Sequence, residues 1–336
     1  MPPQQSTVDA HEAARLLGIS VPTLYAYVSR GMIRSEEGEG ASRARRYRLD
    51  DLEALQKRKE YRREPAKAAE SALRFGMPVL DSALTLIEDG KFYYRGYDAC
   101  TLAQERTFEE VAALLWTGEF SMPGGIVSDF SLMDLLPTSR ELPSPLEAYQ
   151  TMLAGVAPHD LAAYQIDAAA VARTGLRILH LLTFHTVGRM PEHTMARALQ
   201  QTWAPDDIHA ERMLTAALVL CADHELNVST FTARCVASAG SSPYAVVIAA
   251  LSALQGHKHG GQTSLVAGLL DAARHGVRPA IADHLKRAAS IPGFGHPLYP
   301  EGDPRARLLL AMLNEHYPRH RTCCWQVNCV PPFTKN

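Results

Sequence analysis

The chain has 336 residues, 46% of them hydrophobic and 21% charged, with a formal net charge of −2. At about 100–200 residues per domain this length implies two or three domains and a core that needs no staples, and the near-neutral balance excludes a chain basic throughout, so any nucleic-acid contact must come from a local patch. No basic start followed by an apolar run marks a signal peptide, and Tyr244–Leu254, the most apolar stretch, falls far short of the ~18 residues of a membrane span, so a cytoplasmic location is expected.

In chain order, Asp9 to Leu17 reads as a short helix with Ala13, Leu16 and Leu17 on its apolar side and a stop at Gly18. Ser20 can cap a second helix that tolerates Pro22 in its first turn and runs to Arg30, where Gly31 ends it. Leu24 and Val28 would face the first helix, leaving Thr23, Tyr25, Tyr27 and Arg30 outward. Two short helices about a tight turn make a helix-turn-helix. Residues 36–42 are Gly- and charge-rich and read as a wing leading into Arg43, Arg45, Arg46 and Arg48. Asp50 can then cap a third helix with Leu52 and Leu55 inward.

The stretches EAARLLGIS, TLYAYVSRGMI and RRYRLDDLEAL resemble the winged helix-turn-helix of MerR-type regulators and excisionases. The resemblance implies DNA as a partner, with the second helix in the major groove. Thr23, Tyr25 and Arg30 would approach bases, and Arg43, Arg45 and Arg46 would meet phosphate. A protein-docking or relic module stays open beside this, because Glu36, Glu37 and Glu39 stand in the wing, where acid repels phosphate. The expected organisation is a module over 1–63, a charged Ala-rich linker over 64–74, a large domain over 75–261, a partial small domain over 262–314 and an aberrant tail over 315–336.

From Phe75 onward helix signals dominate. Thr107 and Glu110 form a capping-box pair, and Phe108, Val111, Ala112 and Leu115 follow at helical spacing. Met213, Ala217 and Cys221 repeat in the same way. Ser242 and Pro243 open the helix Tyr244–Leu254, apolar on nearly every side, which places it at the centre of a bundle. Strand-like alternation shows only near Lys91–Tyr97, and loops are expected at Met122–Gly125 and Pro137–Pro145. The body therefore reads as mainly α with one small hairpin. Cys100, Cys221 and Cys235 read as buried thiols, and no cysteine pair has zinc-knuckle or Cys-x-x-Cys spacing.

Three histidine-bearing segments stand out: ADHELN around His224, GHKHGG around His259, and PGFGH ending at His296, followed by Asp303-Pro304-Arg305. Glycines beside a histidine let backbone approach a ligand. A guanidinium at a helix start suits a carboxylate. Metal spacing and a Gly-x-Ser-x-Gly elbow are both missing, so the set suits polarising carbonyls rather than metal or serine hydrolysis. His257 and His284 read as structural or exposed.

These segments, with YRGYD and FEEVAALLWTGE before them, resemble the citrate synthase family in order and spacing over Phe75 to Leu313. The resemblance implies a helical bundle of a large and a truncated small domain, and an acyltransferase joining acetyl-CoA (or propionyl-CoA) to oxaloacetate by a Claisen-type condensation. It implies a homodimer, no metal and no tightly bound cofactor beyond the CoA co-substrate. By position, His259 would donate to the thioester oxygen and His296 would polarise the ketone. His224, Asn227 and Arg305 would hold carboxylates, and Gly293, Phe294 and Gly295 would lie along coenzyme A. Asn227 could equally cap the next helix.

The family's catalytic aspartate lies well past the DPRA helix, where this chain reads HYPRHRTCCWQVNCVPPFTKN. A frameshifted or truncated end has this look, so very low condensing activity is expected. A metal site from Cys323, Cys324 and Cys329 fits a tetrahedral cage poorly. A regulator sensing an acyl-CoA or 2-oxo acid is the competing reading, and a poorly folding product the third.

Overall fold

The computed structural model describes residues 7–29, 33–37, 45–49, 51–52, 55–56, 82–88, 90–122, 144–189, 193–287, 291–296, 298–299 and 301–317. They fall in two compact units, Met1–Leu80 and Asp81–Asn336. Arg30, Gly31, Arg43, Asp50, the linker, both expected loops over most of their length, Pro297 and the cysteines of the tail lie outside the described residues.

In the first unit, α1 (Ala10–Leu17) starts where the Asp9 carboxylate accepts the amides of His11 and Glu12, and it stops at Gly18 in the left-handed region. Helix α2 (Val21–Ser29) follows with Ser20 bonded to the Thr23 amide. Leu24 is fully buried with Ala13, Leu17, Ile33, Tyr47, Leu52 and Leu55. Tyr27 packs against this cluster instead of facing outward, because it lies three positions from Leu24 and shares its face. Strands β1 (Thr7–Val8), β2 (Ser35–Glu37) and β3 (Arg45–Arg48) form an antiparallel sheet in the order β1-β3-β2. Arg34 clasps Asp51 through two guanidinium nitrogens, at 2.8 and 3.1 Å, tying the strand entry to the third helical turn.

The second unit begins with a three-stranded meander: β4 (Thr85–Glu88), β5 (Lys91–Tyr94) and β6 (Tyr97–Asp98). Helices α3 (Ala99–Glu105) and α4 (Phe108–Thr117) follow, α4 opened by the Thr107–Glu110 capping box. Then come α5 (Pro145–Val156), α6 (Ala168–Val187), α7 (Met195–Trp203) and α8 (Ala210–Leu220). After them stand α9 (Val228–Ser238), α10 (Pro243–Leu254), α11 (Gln262–Ala273), α12 (Val277–Arg287) and α13 (Pro304–His316). Among the described residues no helix is long and apolar enough to cross a membrane.

One core joins Phe92, Tyr94, Leu102, Val111, Leu114, Val219, Leu220 and Met312. A second joins Met152, Leu153, Val156, Ile178, Leu181 and Tyr244. On α8 the fully buried positions are Ala216, Val219 and Leu220, so the inward face is turned from the expected one through Ala217 and Cys221. Cys221 and Cys235 are exposed and Cys100 half-buried, against the expectation of buried thiols. The expectation for α10 also fails. Tyr244 is its one fully buried residue; α10 packs on α5, α6 and α9, and Val247, Ile248 and Leu251 are only partly buried against the second core. Helix α9 has no fully buried residue at all.

Candidate active site

The segment between α8 and α9 carries His224, and the small sheet holds it in place. The Tyr94 hydroxyl lies 2.9 Å from the Val219 carbonyl and 3.0 Å from the Asp223 carbonyl, which pins the chain where it leaves α8. The Thr85 hydroxyl bonds the Asp223 carboxyl, whose burial pushes its pKa up. Glu225 takes φ of 54°, a left-handed conformation unusual outside glycine, and this bend sends Leu226 into the interior. Sequence reasoning missed Thr85 and Tyr94. Their signal was the alternation in the strand near Lys91, which said hairpin but not what the hairpin holds.

The loop before α13 delivers His296. Gly293 sits at φ 79°, and a Cβ there would stand 2.8 Å from the Val266 side chain, so the loop lies against α11 at a spacing only glycine permits. Gly295 shares the left-handed backbone, and Phe294 between them is exposed. The rings of His224 and His296 meet edge to face with centroids 5.1 Å apart. Tyr299, 3% exposed, completes the group: its hydroxyl lies 2.8 Å from His224 Nε2 and its ring 5.2 Å from that of His296. Sequence reasoning missed Tyr299 too, since one aromatic between two prolines carries no periodic signal.

Arg305 enters from the first turn of α13, with its guanidinium 5.8 Å from the Tyr299 ring centroid. Asp303 is the α13 cap, as its place before Pro304 foretold, and accepts the Arg305 amide at 2.9 Å. The same carboxylate holds the Arg305 guanidinium at 3.0 and 2.6 Å. Burial works to raise the Asp303 pKa, but the Arg305 bonds and charge override it and leave it lowered.

His259 meets the start of α9. It sits in the tight loop after α10, where a Cβ on Gly260 would stand 2.6 Å from the Leu254 carbonyl oxygen. Its Nε2 lies 3.0 Å from the Ser229 hydroxyl, which in turn donates to Asn227 at 2.7 Å. Asn227 caps α9 through the Thr230 amide at 2.9 Å, so the capping reading of this residue describes its oxygen. The described contacts thus join His224, His296, Tyr299, Asp303 and Arg305 in one cluster and His259, Ser229 and Asn227 in another. Two residues of chain, Glu225 and Leu226, link the two between His224 and Asn227.

Burial lowers all three histidines, and the Arg305 charge adds to the effect on His224 and His296; His224 is brought down to about 4. The imidazoles are therefore neutral at pH 7, each with one donor and one acceptor. A histidine held below its unfolded value binds its proton more readily in the unfolded chain, so stability present above about pH 6.5 is lost as pH falls toward 4. Urea midpoints are expected to drop between pH 7.5 and pH 5, and His224→Asn should shrink that drop. An unchanged pH dependence in the variant would exclude His224 as its source.

Among the described residues no group of three His, Cys, Asp or Glu side chains is placed to hold a metal ion. In the first unit, Tyr25 is exposed, and Thr23 bonds Ser20 at 2.8 Å. Arg46 is tied to Thr7 at 2.8 and 2.7 Å, and Arg45 reaches Ser35 at 3.4 Å.

Residues 72–325 match the family model of the citrate synthase C-terminal domain, and residues 8–60 match a helix-turn-helix domain. The chain is 30% identical over 271 residues to a citrate synthase of Haloferax volcanii, covering 70% of this chain and 71% of that one. It is 30% identical to a 2-methylcitrate synthase of Shewanella oneidensis, covering 64% of each. The crystal structure of citrate synthase from Thermotoga maritima aligns at TM-score 0.54 and 25% identity, covering 73% of each chain. The fold is shared as well with the Thermoplasma acidophilum citrate synthase in ternary complex with carboxymethyl coenzyme A and oxaloacetate, at TM-score 0.57, 22% identity and 70% coverage of each chain.

Proposed function

We propose a carbon–carbon condensing function for this chain, which belongs to the citrate synthase family and carries a helix-turn-helix at its N-terminus. The observation that carries the reading is the meeting of His224, His296 and the Arg305 guanidinium at the start of α13. Arg305 and His224 would hold the carboxylates of oxaloacetate, with Asn227 shaping the site beside them. His296 would polarise the ketone and accept its developing alkoxide charge as a hydrogen-bond donor. His259 would donate to the thioester oxygen of the acyl-CoA and stabilise its enol. The backbone of Gly293, Phe294 and Gly295 would run along coenzyme A. Attack of the enol carbon on the ketone forms the new carbon–carbon bond, and water then cleaves the thioester to release CoA.

A general base must remove the methyl proton, and among the described residues the two aspartates beside the site are committed elsewhere. Asp303 is held by Arg305 and α13, and Asp223 by Thr85. A general base is worth a factor of about 10²–10⁴, so a site in which neither of these aspartates is available should turn over slowly while ligand binding persists. The test is thiol release from acetyl-CoA and, in parallel, propionyl-CoA with oxaloacetate, alongside calorimetric titration of oxaloacetate. The absence of both thiol release and oxaloacetate binding would overturn the reading.

The incomplete burial of apolar side chains on α9 and α10 supports assembly of two copies through these helices. Light scattering is expected to give the mass of two chains, and a monomer at micromolar concentration would remove the dimer. The helix-turn-helix favours a second reading, in which the body senses its ligands and the first unit binds DNA. A gel shift that weakens with salt and responds to oxaloacetate or acetyl-CoA supports it, and a DNA affinity indifferent to both ligands opposes it.

A further inference from the structure

We propose that Tyr299 is a positioning residue that fixes the tautomer and orientation of His224 and ties it to His296 and Arg305; its service to ligand binding rests on the function proposed above. Four contacts converge on this one side chain. Its hydroxyl lies 2.8 Å from His224 Nε2, its ring 5.6 Å from the His224 ring and 5.2 Å from the His296 ring, and the Arg305 guanidinium 5.8 Å away. Tyr299 is 3% exposed, so water does not compete for the hydroxyl. Its own backbone is held as well, since its amide donates to the His296 carbonyl at 2.9 Å and its carbonyl accepts from Gly302 at 3.0 Å. The residue thus stands between the loop that brings His296 and the helix that brings Arg305.

Burial, helped by the Asp303 and Glu225 charges, pushes the phenol up to about 12, so it keeps its proton. His224 is neutral, so one of its ring nitrogens accepts; with the Tyr299 O–H donating to Nε2, the proton stands on Nδ1, which stays free to donate to a carboxylate. With the hydroxyl removed, Nε2 loses its donor and the two tautomers come closer in energy. The imidazole must then be ordered anew when a ligand arrives.

The experiment uses the full chain, with long-range ¹⁵N–¹H spectra of the histidine rings and the His224 signals assigned by their loss in His224→Asn. The wild type is expected to show His224 as a single Nδ1–H tautomer. Tyr299→Phe keeps the ring and should give a mixed tautomer and a His224 titration moved upward, since a donor to the neutral ring disfavours its protonation. His224 signals identical to wild type in Tyr299→Phe overturn the proposal. Should that variant fail to fold, 3-fluorotyrosine incorporation leaves the shape of the phenol and makes it a stronger donor. The His224 Nε2 resonance must then shift, and an unmoved one overturns the proposal. Calorimetry adds the ligand arm: oxaloacetate affinity is expected to fall about tenfold in Tyr299→Phe, the worth of one buried neutral hydrogen bond. Equal affinities overturn the claim that the positioning serves binding. A wild type that binds no oxaloacetate removes the proposed function, while the ligand-free spectra still decide the role of Tyr299.

Discussion

Arg305→Gln is expected to weaken oxaloacetate binding by about two orders of magnitude, the worth of a charge-assisted pair at about 1.5–3 kcal/mol. The guanidinium lies beside the His224–His296–Tyr299 group, and its side chain is 20% exposed, so solvent screens it only in part. Its bond to Asp303 fixes the fork from behind, at 3.0 and 2.6 Å. Arg305→Lys should recover little, because an ammonium lacks the planar pair of donors that both Asp303 and a carboxylate ligand engage. Asp303 would keep its bond to the residue 305 amide in either variant, so α13 should persist and circular dichroism should show it. The measurement is calorimetric titration of oxaloacetate into wild type and both variants. Affinities within a factor of three of one another would take Arg305 out of the site.

Asp160→Ala should cost about 3–5 kcal/mol of stability, the penalty for leaving a buried charge without its partner. Asp160 is 6% exposed and accepts Arg177 Nε at 2.9 Å, Arg177 Nη2 at 3.2 Å and the Tyr244 hydroxyl at 2.9 Å. Arg177 also donates to Thr174 at 2.8 Å, so the network ties α6, the turn at Leu161–Tyr164 and the start of α10 together. Set against about 5–15 kcal/mol for a typical domain, the loss is a large share of the total. Urea unfolding at pH 7.5 should show a lower midpoint at unchanged slope. The double variant Asp160→Ala with Arg177→Met removes the stranded cation and should regain part of the loss. A change below about 1 kcal/mol in the single variant would show that the ion pair is dispensable to the fold.

Features confined to one turn were legible in advance. The Thr107–Glu110 box, Ser242 before Pro243 and Asp303 before Pro304 each depend on residues three or fewer apart, and each stands as expected. The turn between α1 and α2 and the burial of Leu24, Leu52 and Leu55 were legible for the same reason. Faces were harder. The α8 helix buries Ala216, Val219 and Leu220 because α3 and α7 both press on it, and nothing in its apolar run distinguishes that stripe from the one through Ala217. The α10 helix looked central by composition, yet its burial depends on what covers its second side.

The sequence alone determined the chemical inventory of this protein: three histidine-bearing segments, two of them rich in glycine, an arginine at a helix start, and the helix-turn-helix ahead of them. It also determined where helices begin, because capping is settled between near neighbours along the chain. Only the tertiary structure decided that His224 meets Tyr299 across 75 positions, that Thr85 grips Asp223 across 138, and that His259 leans on Ser229 rather than on another imidazole. Such pairings depend on how the meander, α8 and α13 stack around one core, and that arrangement is fixed by volume and burial summed over many side chains. No spacing along the chain encodes it.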